Sequence, residues 1–512
     1  ERMFLWITST DKGRLVLESP VFYGVSPADS AGNRTFIPHT AGSALRMTSS
    51  IRKHGPNRLP VMKDKQGRLF EVENIGSAKN ETSMVKDATG KTVQVADLKI
   101  ASGTIQFIDK TGKIINRPKA IIKHSKNRDN IVHQFSVGNK RIFLDVSGNI
   151  IESESGQATG DALMTQNGSL VYYLTMANDV YAWYLTGGLT NGNIDTAQFP
   201  TTAAQRNSIC AYARKNGVVL PDSNALAMEI KSSWVEAATL PKESLKNYVT
   251  VQAVIPTYTK SDSIWVPNGE KTATMALVGM HVVGSVAGHP EMIWSTFEHK
   301  NNAPNAAYDY LTKDNKVKVV PQDGGSGWLF SSNAADTAAN ISHITNIYNQ
   351  TTFATSDTLF AKPNQTISAS NTQRLFPFGV AMGHVPNPED KSSAASNSEL
   401  ISINNAIQRL LVGNDVRKNY LLIGATWTNG GAAPNSFCYD VNQSPGSAIG
   451  TSVLANSTME TYFQADSNTC FTCHSVGPGG ASLSPTQLSH VFSNLQPLAV
   501  KQFKSIMQKN KK

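Results

Sequence analysis

The chain has 512 residues, of which 40% are hydrophobic and 17% charged, and its formal net charge is +9. That length allows large cores and predicts two or more domains, and it far exceeds what a minimal electron carrier needs. No run approaches the roughly eighteen apolar residues of a membrane-crossing helix, which excludes a helical membrane span.

The charge is unevenly placed. Between Arg46 and Arg141 stand twenty Lys and Arg against eight Asp and Glu, an excess of twelve, which is larger than the +9 of the whole chain. Residues 1–44 read as an N-terminal extension. From 45 to 155 the runs GRLFEVEN, KTVQVADLKI, GTIQFID, NIVHQFSV and KRIFLDVSG are short and rich in strand formers. The turn sequences DATGK and DKTGK separate some of them, which predicts a small basic β-rich domain or arm. Its positive surface over 46–141 suits an acidic partner protein or an anionic surface, with a soluble lysine-studded sheet as the plainer reading. No stacking motif or recognition helix points to nucleic acid.

Residues 156–400 predict a mixed α/β, loop-rich domain. SLVYYLTMANDVYAWYL reads as a strand running into a helix, and TTAAQRNSICAYARKNG as a short helix with a basic end and a Gly stop. MALVGMHVVGSVAGHPEMIWSTFEHKNNAP is the densest stretch, and residues 301–400 are long polar connections. From 401 to 512 the pattern predicts a helical region. ELISINNAIQRLLVG is apolar at helical spacing, TSVLANSTMETYFQ reads as another helix, and SPTQLSHVFSNLQPL follows with Pro485 at a first helical position. The fold expected is therefore α+β, with a basic β-rich N-terminal segment, a loop-rich mixed domain and a C-terminal helical, cytochrome c-like region.

Cys470-Phe471-Thr472-Cys473-His474 has the C-x-x-C-H spacing of covalent haem c attachment. Two thiols on one turn can each add to one haem vinyl group, and the next residue then lies under the iron. His474 is thus the expected metal ligand, through an imidazole whose other nitrogen can be fixed by a neighbour. A structural zinc site would need a second ligand pair at similar spacing, and no second C-x-x-C exists. A thioredoxin-like pair belongs near the start of a βαβ unit, whereas this one stands near the C-terminal end before VGPGGASLSP. An ordinary disulfide or thiol pair is the remaining alternative.

One haem c per chain implies export to the periplasm or the extracellular space, where Cys210 and Cys438 could also oxidise. The opening ERMFLWITST lacks a basic region leading into an apolar run, so the chain reads as the mature product of an exported precursor.

The segments EIKSSWV, LVGMHVVGSVAGHPEMIWSTFEHKNNAP, RKNYLLIGATW and LANSTMETYFQ followed by CFTCHS resemble the recurrent words of exported bacterial cytochrome c family proteins. Those proteins carry a single C-terminal haem motif. The likeness covers roughly residues 165–500 and leaves out the basic segment. It implies haem and export, and it names no substrate.

The sixth iron ligand would separate electron transfer from catalysis. Met507 lies in a Lys-rich tail, and His490 is readily explained as a structural helical histidine. The dense stretch offers better candidates for a distal wall. His281 and His299 are candidate catalytic imidazoles, Trp294 and Phe297 would contact the haem beside Met280, and Glu291 and Glu298 could transfer protons. Arg374 could balance a propionate or polarise a bound peroxide. A buried strand-turn-strand core with structural histidines explains the same residues without a haem. Three functional classes follow: a haem-dependent, peroxidase- or oxygenase-like oxidoreductase acting on a small molecule, an electron-transfer protein docking a redox partner, and a surface binding protein stapled by haem.

Overall fold

The computed structural model describes residues 1–11, 13–25, 35–49, 53–54, 61–64, 69–75, 84–101, 104–116, 118–120, 131–137, 140–144, 153–154, 162–189, 194–222, 224–334, 343–347, 359–361, 365–378, 389, 391–434, 444–450, 454–461, 464, 470–474, 489 and 498. Its centre is one large sheet. In chain order the elements that build and cover it are α1 (Arg2–Ile7), β1 (Phe22–Val25), β2 (Phe36–Pro38), β3 (Val171–Asn178), α2 (Asp179–Leu189), α3 (Ala203–Lys215), β4 (Met228–Glu236), β5 (Thr250–Lys260), β6 (Ile264–Val286), β7 (His289–His299), α4 (Lys391–Leu410), β8 (Tyr420–Thr428), β9 (Ala448–Gly450) and α5 (Cys470–Cys473). The main path runs β9-β8-β7-β6-β4-β3-β1-β2, with every neighbouring pair antiparallel.

β6 is the spine. Its first half pairs with β5, from Trp265 opposite Lys260 to Ala276 opposite Thr250, and its second half lies between β4 and β7. The tight turn into β7 is closed by the pair Val286 and His289, with Gly288 at φ 82° in the left-handed region that a side chain would strain.

Strand side chains alternate between faces, and both faces of this sheet are covered. Met280 and Val282 of β6, Phe297 of β7 and Leu422 of β8 pack with Phe4 and Ile7 of α1 and Leu400 of α4. Val283 and Trp294 point the other way, into a core built with α2, α3, Phe471 and Leu498. The composition of α2 explains its place there. DVYAWYLTGGL is apolar nearly all round, and such a helix must be enclosed; residues 179–187 are all buried.

The basic span contributes strands of two smaller sheets, one of four strands and one of five. DATGK and DKTGK form turns of the same chemistry. Asp87 Oδ1 accepts from the Thr89 and Lys91 amides at 2.8 and 3.0 Å, and Asp109 Oδ1 accepts from Thr111 and Lys113 at the same distances. Among the described residues, no helix is long and apolar enough to cross a membrane.

The α+β expectation with a helical C-terminal region is corrected. Strand dominates the regular structure, and the one long helix among the described residues is α4, which begins before 401. Beyond it the described chain contributes β8, β9 and the four-residue α5. YLLIGATWT alternates with a period of two and completes the sheet, so it is β8. Residues 454–461, LANSTMET, form turns where a helix was expected, because their small polar side chains compete for the backbone. Asn456 Oδ1 accepts from the Thr458 amide at 2.9 Å and from Thr458 Oγ1 at 2.7 Å, leaving a compact turn.

Phe297 is fully buried and stacks on Phe4, with ring centroids 4.4 Å apart and planes 12° apart. Phe297→Ala should therefore cost about 3–5 kcal/mol of unfolding free energy in urea titrations, because it empties a cavity between β7 and α1. A loss below about 1 kcal/mol would mean that α1 does not seal this face.

Candidate functional site

A buried carboxylate anchors Ser457 to the end of β7. Glu298, at the end of β7, accepts from the Ser457 amide at 2.7 Å, from the Ser457 hydroxyl, and from Arg374 Nε at 2.8 Å. Arg374 spends its remaining nitrogens nearby: Nη1 donates to the Ala303 carbonyl at 2.6 Å and Nη2 to that of His299 at 2.8 Å. Two buried charges persist only when they are paired and fully hydrogen-bonded, and this pair is. Gly279 of β6 completes the seat, since a Cβ there would run into Thr458 Oγ1 and lie 2.7 Å from Ser233 Oγ and 2.9 Å from Asn456 Oδ1. Gln464 then ties on the next segment, accepting from the Leu375 amide at 2.9 Å and donating to the Gln373 carbonyl at 2.8 Å.

In the C-x-x-C-H segment itself the backbone closes one helical turn, with the His474 amide donating to the Cys470 carbonyl at 2.9 Å. Cys470 and His474 are thereby stacked one turn apart, and both are partly exposed. Phe471 points inward, is fully buried, and meets the edge of Trp294 at 6.1 Å between centroids. The His474 ring lies 4.4 Å from the Trp294 ring, tilted by 42°. Trp294 is fixed in turn by donating its indole N–H to the Glu291 carbonyl at 3.0 Å. The Glu291 carboxylate accepts from the Thr428 amide at 3.1 Å and pairs with His289 Nδ1 at 2.9 Å. The backbone of Cys473 belongs to α5, and its side chain lies outside the described residues, as do Cys438, His490 and Met507.

The other sequence candidates separate. His281 lies on the same face of the sheet as Trp294, two positions before Val283, which pairs with Trp294. Its Nε2 meets Glu460 Oε1 at 2.9 Å, and both side chains keep some exposure. Phe297, expected beside Trp294, lies on the opposite face with Met280: a strand cannot point residues 294 and 297 the same way without a compensating irregularity, and here Phe297 meets Phe4.

His299 and Arg374, the other catalytic candidates, are both buried and bonded within the core. The His299 ring stacks on Tyr248 at 3.9 Å, with Nε2 donating to the Asn247 carbonyl at 3.2 Å and Nδ1 accepting from the Asn301 amide at 3.3 Å. Burial pushes its pKa down to about 3 and keeps the ring neutral. Arg374 is committed to Glu298 and to backbone carbonyls, as described above. Cys210 is buried in α3.

Sequence reasoning missed Asn456, Ser457 and Thr458, which hold the turn below the motif, and Phe471, its inward anchor. The Asn-Ser-Thr triplet was the available signal, since those residues favour side-chain-to-backbone bonds over helix interiors. Among the described residues no group of three or more His, Cys, Asp or Glu side chains is arranged to hold a metal ion. No protein-family model, curated protein or solved structure matches the chain.

His299 makes stability depend on pH with a defined sign. Its folded pKa, about 3, lies below the ordinary 6.5, so between these values the unfolded chain binds a proton that the folded chain refuses. The contribution is fully present above pH 6.5 and is lost as pH falls towards 3, at up to about 1.4 kcal/mol per pH unit. Urea unfolding between about pH 6 and pH 4 should show a correspondingly shallower slope in His299→Gln than in the parent. Equal slopes would show that His299 titrates normally in the folded protein.

Proposed function

We propose that this chain is an exported redox protein that holds one haem c through thioethers to Cys470 and Cys473, with the imidazole of His474 as an iron ligand. The observation that carries the reading is the C-x-x-C-H sequence on a single helical turn whose intervening Phe471 is buried while Cys470 and His474 remain partly exposed. The residues present fit such a group: an apolar layer of α2, Val283, Trp294 and Phe471 lies directly behind the turn. When bound, haem supplies reversible one-electron chemistry.

The protein's own part is positioning. Phe471 anchors the turn, and Trp294, held by the Glu291 carbonyl, supports the His474 ring. Electron transfer to a protein partner is the favoured role, supported by the burial of His299 and Arg374, whose side chains are bonded within the core. The basic span 46–141 supplies a surface for an acidic partner, whose attraction would weaken as salt rises. A catalytic role has one observation in its favour: the partly exposed His281–Glu460 pair, on the Trp294 face of the sheet, could hold or move a proton at His281 Nε2.

Purified from a host that matures c-type cytochromes, the protein should keep its visible colour through acidified organic extraction. Cys470→Ser and Cys473→Ser should each weaken that retention, and the double variant should abolish it. His474→Gly should shift the Soret band while the colour stays with the protein. A spectrum insensitive to carbon monoxide would support electron transfer, and a rapid shift the catalytic reading. Colour that extracts completely from the parent protein would overturn the covalent assignment.

A further inference from the structure

A cleft of about 470 Å³ opens where the chain after α1 meets the start of β5 and the turn at Asp415–Arg417. It shares no residue with the Trp294–Phe471–His474 contact. We infer that this cleft binds a small anion, a compact carboxylate or phosphate, with Arg14 as its charge partner and the Tyr248 hydroxyl as a fixed donor.

The hydrogen-bonding inventory of the walls points that way. Three of the four carboxylate oxygens in the walls are engaged. Both Asp415 oxygens take the guanidinium of Arg417, whose Nη1 also donates to the Leu5 carbonyl at 3.0 Å, and Glu18 Oε2 accepts from the Leu15 amide at 3.2 Å. The hydroxyls of Thr8 and Ser9 donate to the carbonyls of Phe4 and Trp6, at 2.7 Å each. Two strong donors remain. Among the described residues Arg14 makes no hydrogen bond or ion pair, and it stands exposed at the cleft. Its guanidinium packs over Gly42, where a Cβ would lie 2.8 Å from Nη2 and where φ is +93°, so the glycine both permits the turn and leaves room for the cation.

Tyr248 is the second donor. It lines the cleft, is only 6% exposed, and its hydroxyl has no hydrogen-bond partner among the described residues. Its ring cannot swing freely, because it is stacked on His299 at 3.9 Å. Burial pushes the phenol up to about 12, so it stays protonated and able to donate at neutral pH. The hydroxyl is not one of the fully buried polar atoms left without a partner, so it opens to the cleft and is placed to donate to a ligand oxygen. The cavity lies within the size range of small-ligand sites, about 300–1,000 Å³, and a guanidinium and a neutral donor lining one cleft suit a carboxylate or phosphate oxygen pair. His299, a catalytic candidate by sequence, thus acts here as the floor that positions Tyr248.

Isothermal titration of the full chain with inorganic phosphate, and separately with succinate, at constant chloride tests this inference. Saturable binding of either anion is expected. Arg14→Gln should weaken it about tenfold or more, since it removes a charge-assisted contact. Tyr248→Phe keeps the stack on His299 and should weaken binding about three- to tenfold. Both variants should retain the parent's melting temperature without ligand, which separates lost binding from lost folding. Binding by phosphate alone would identify a phosphate site, and binding by succinate alone a carboxylate site. If neither anion saturates the parent protein, or if Arg14→Gln binds as tightly as the parent, the inference is wrong.

Discussion

The buried carboxylate of Glu298 is the constraint on which the candidate site depends. An ionised group at this depth must be matched by donors, and removing one partner of such a pair commonly costs about 3–5 kcal/mol. Ser457 and Arg374 supply the match here. Because Ser457 and Arg374 lie far apart in sequence from Glu298 and from each other, satisfying one carboxylate pins two distant segments to the end of β7. Ser457 is thereby committed to the end of β7, and the Cys470 turn lies against Trp294 of the same strand. Gly279 makes the same docking sterically possible by leaving space for Asn456 and Thr458.

The sheet then divides the chemistry of the dense stretch 275–300. Met280 and Phe297 go to the face sealed by α1 and α4, where they are hydrophobic core. His281 and Trp294 go to the other face, where polar groups alternate with apolar ones and Phe471 is buried. Composition had gathered all of these residues into one imagined haem wall. A period of two distributes them over two walls, and only one of those lies behind the C-x-x-C-H turn.

Much of the local structure was legible because local chemistry decides it. The Asp and Gly of DATGK and DKTGK make their turns from within, ELISINNAIQRLLVG forms the later part of α4, and SLVYYLTMANDVYAWYL does run from strand to helix. The C-terminal region was misread because helix-like spacing in LANSTMETYFQ conceals a turn held by Asn456, and because β8 pairs with β7, which lies over a hundred residues earlier. At the candidate site, the Cys470–His474 spacing is local in sequence, and the fold sets Trp294 of the dense stretch against Phe471 and His474. The fates of His299 and Arg374 were not readable, since each is decided by partners such as Asn247 and Glu298 that only the folded chain brings near.

The central claim is that Cys470 and Cys473 are both consumed by one haem. Peptide mass spectrometry of the purified protein, digested without reduction after alkylation under denaturing conditions, tests it most directly. The account predicts that the peptide spanning Cys470–His474 carries the mass of one haem and no alkyl group on either thiol. Recovery of that peptide with both thiols alkylated, or joined only to each other, would contradict it.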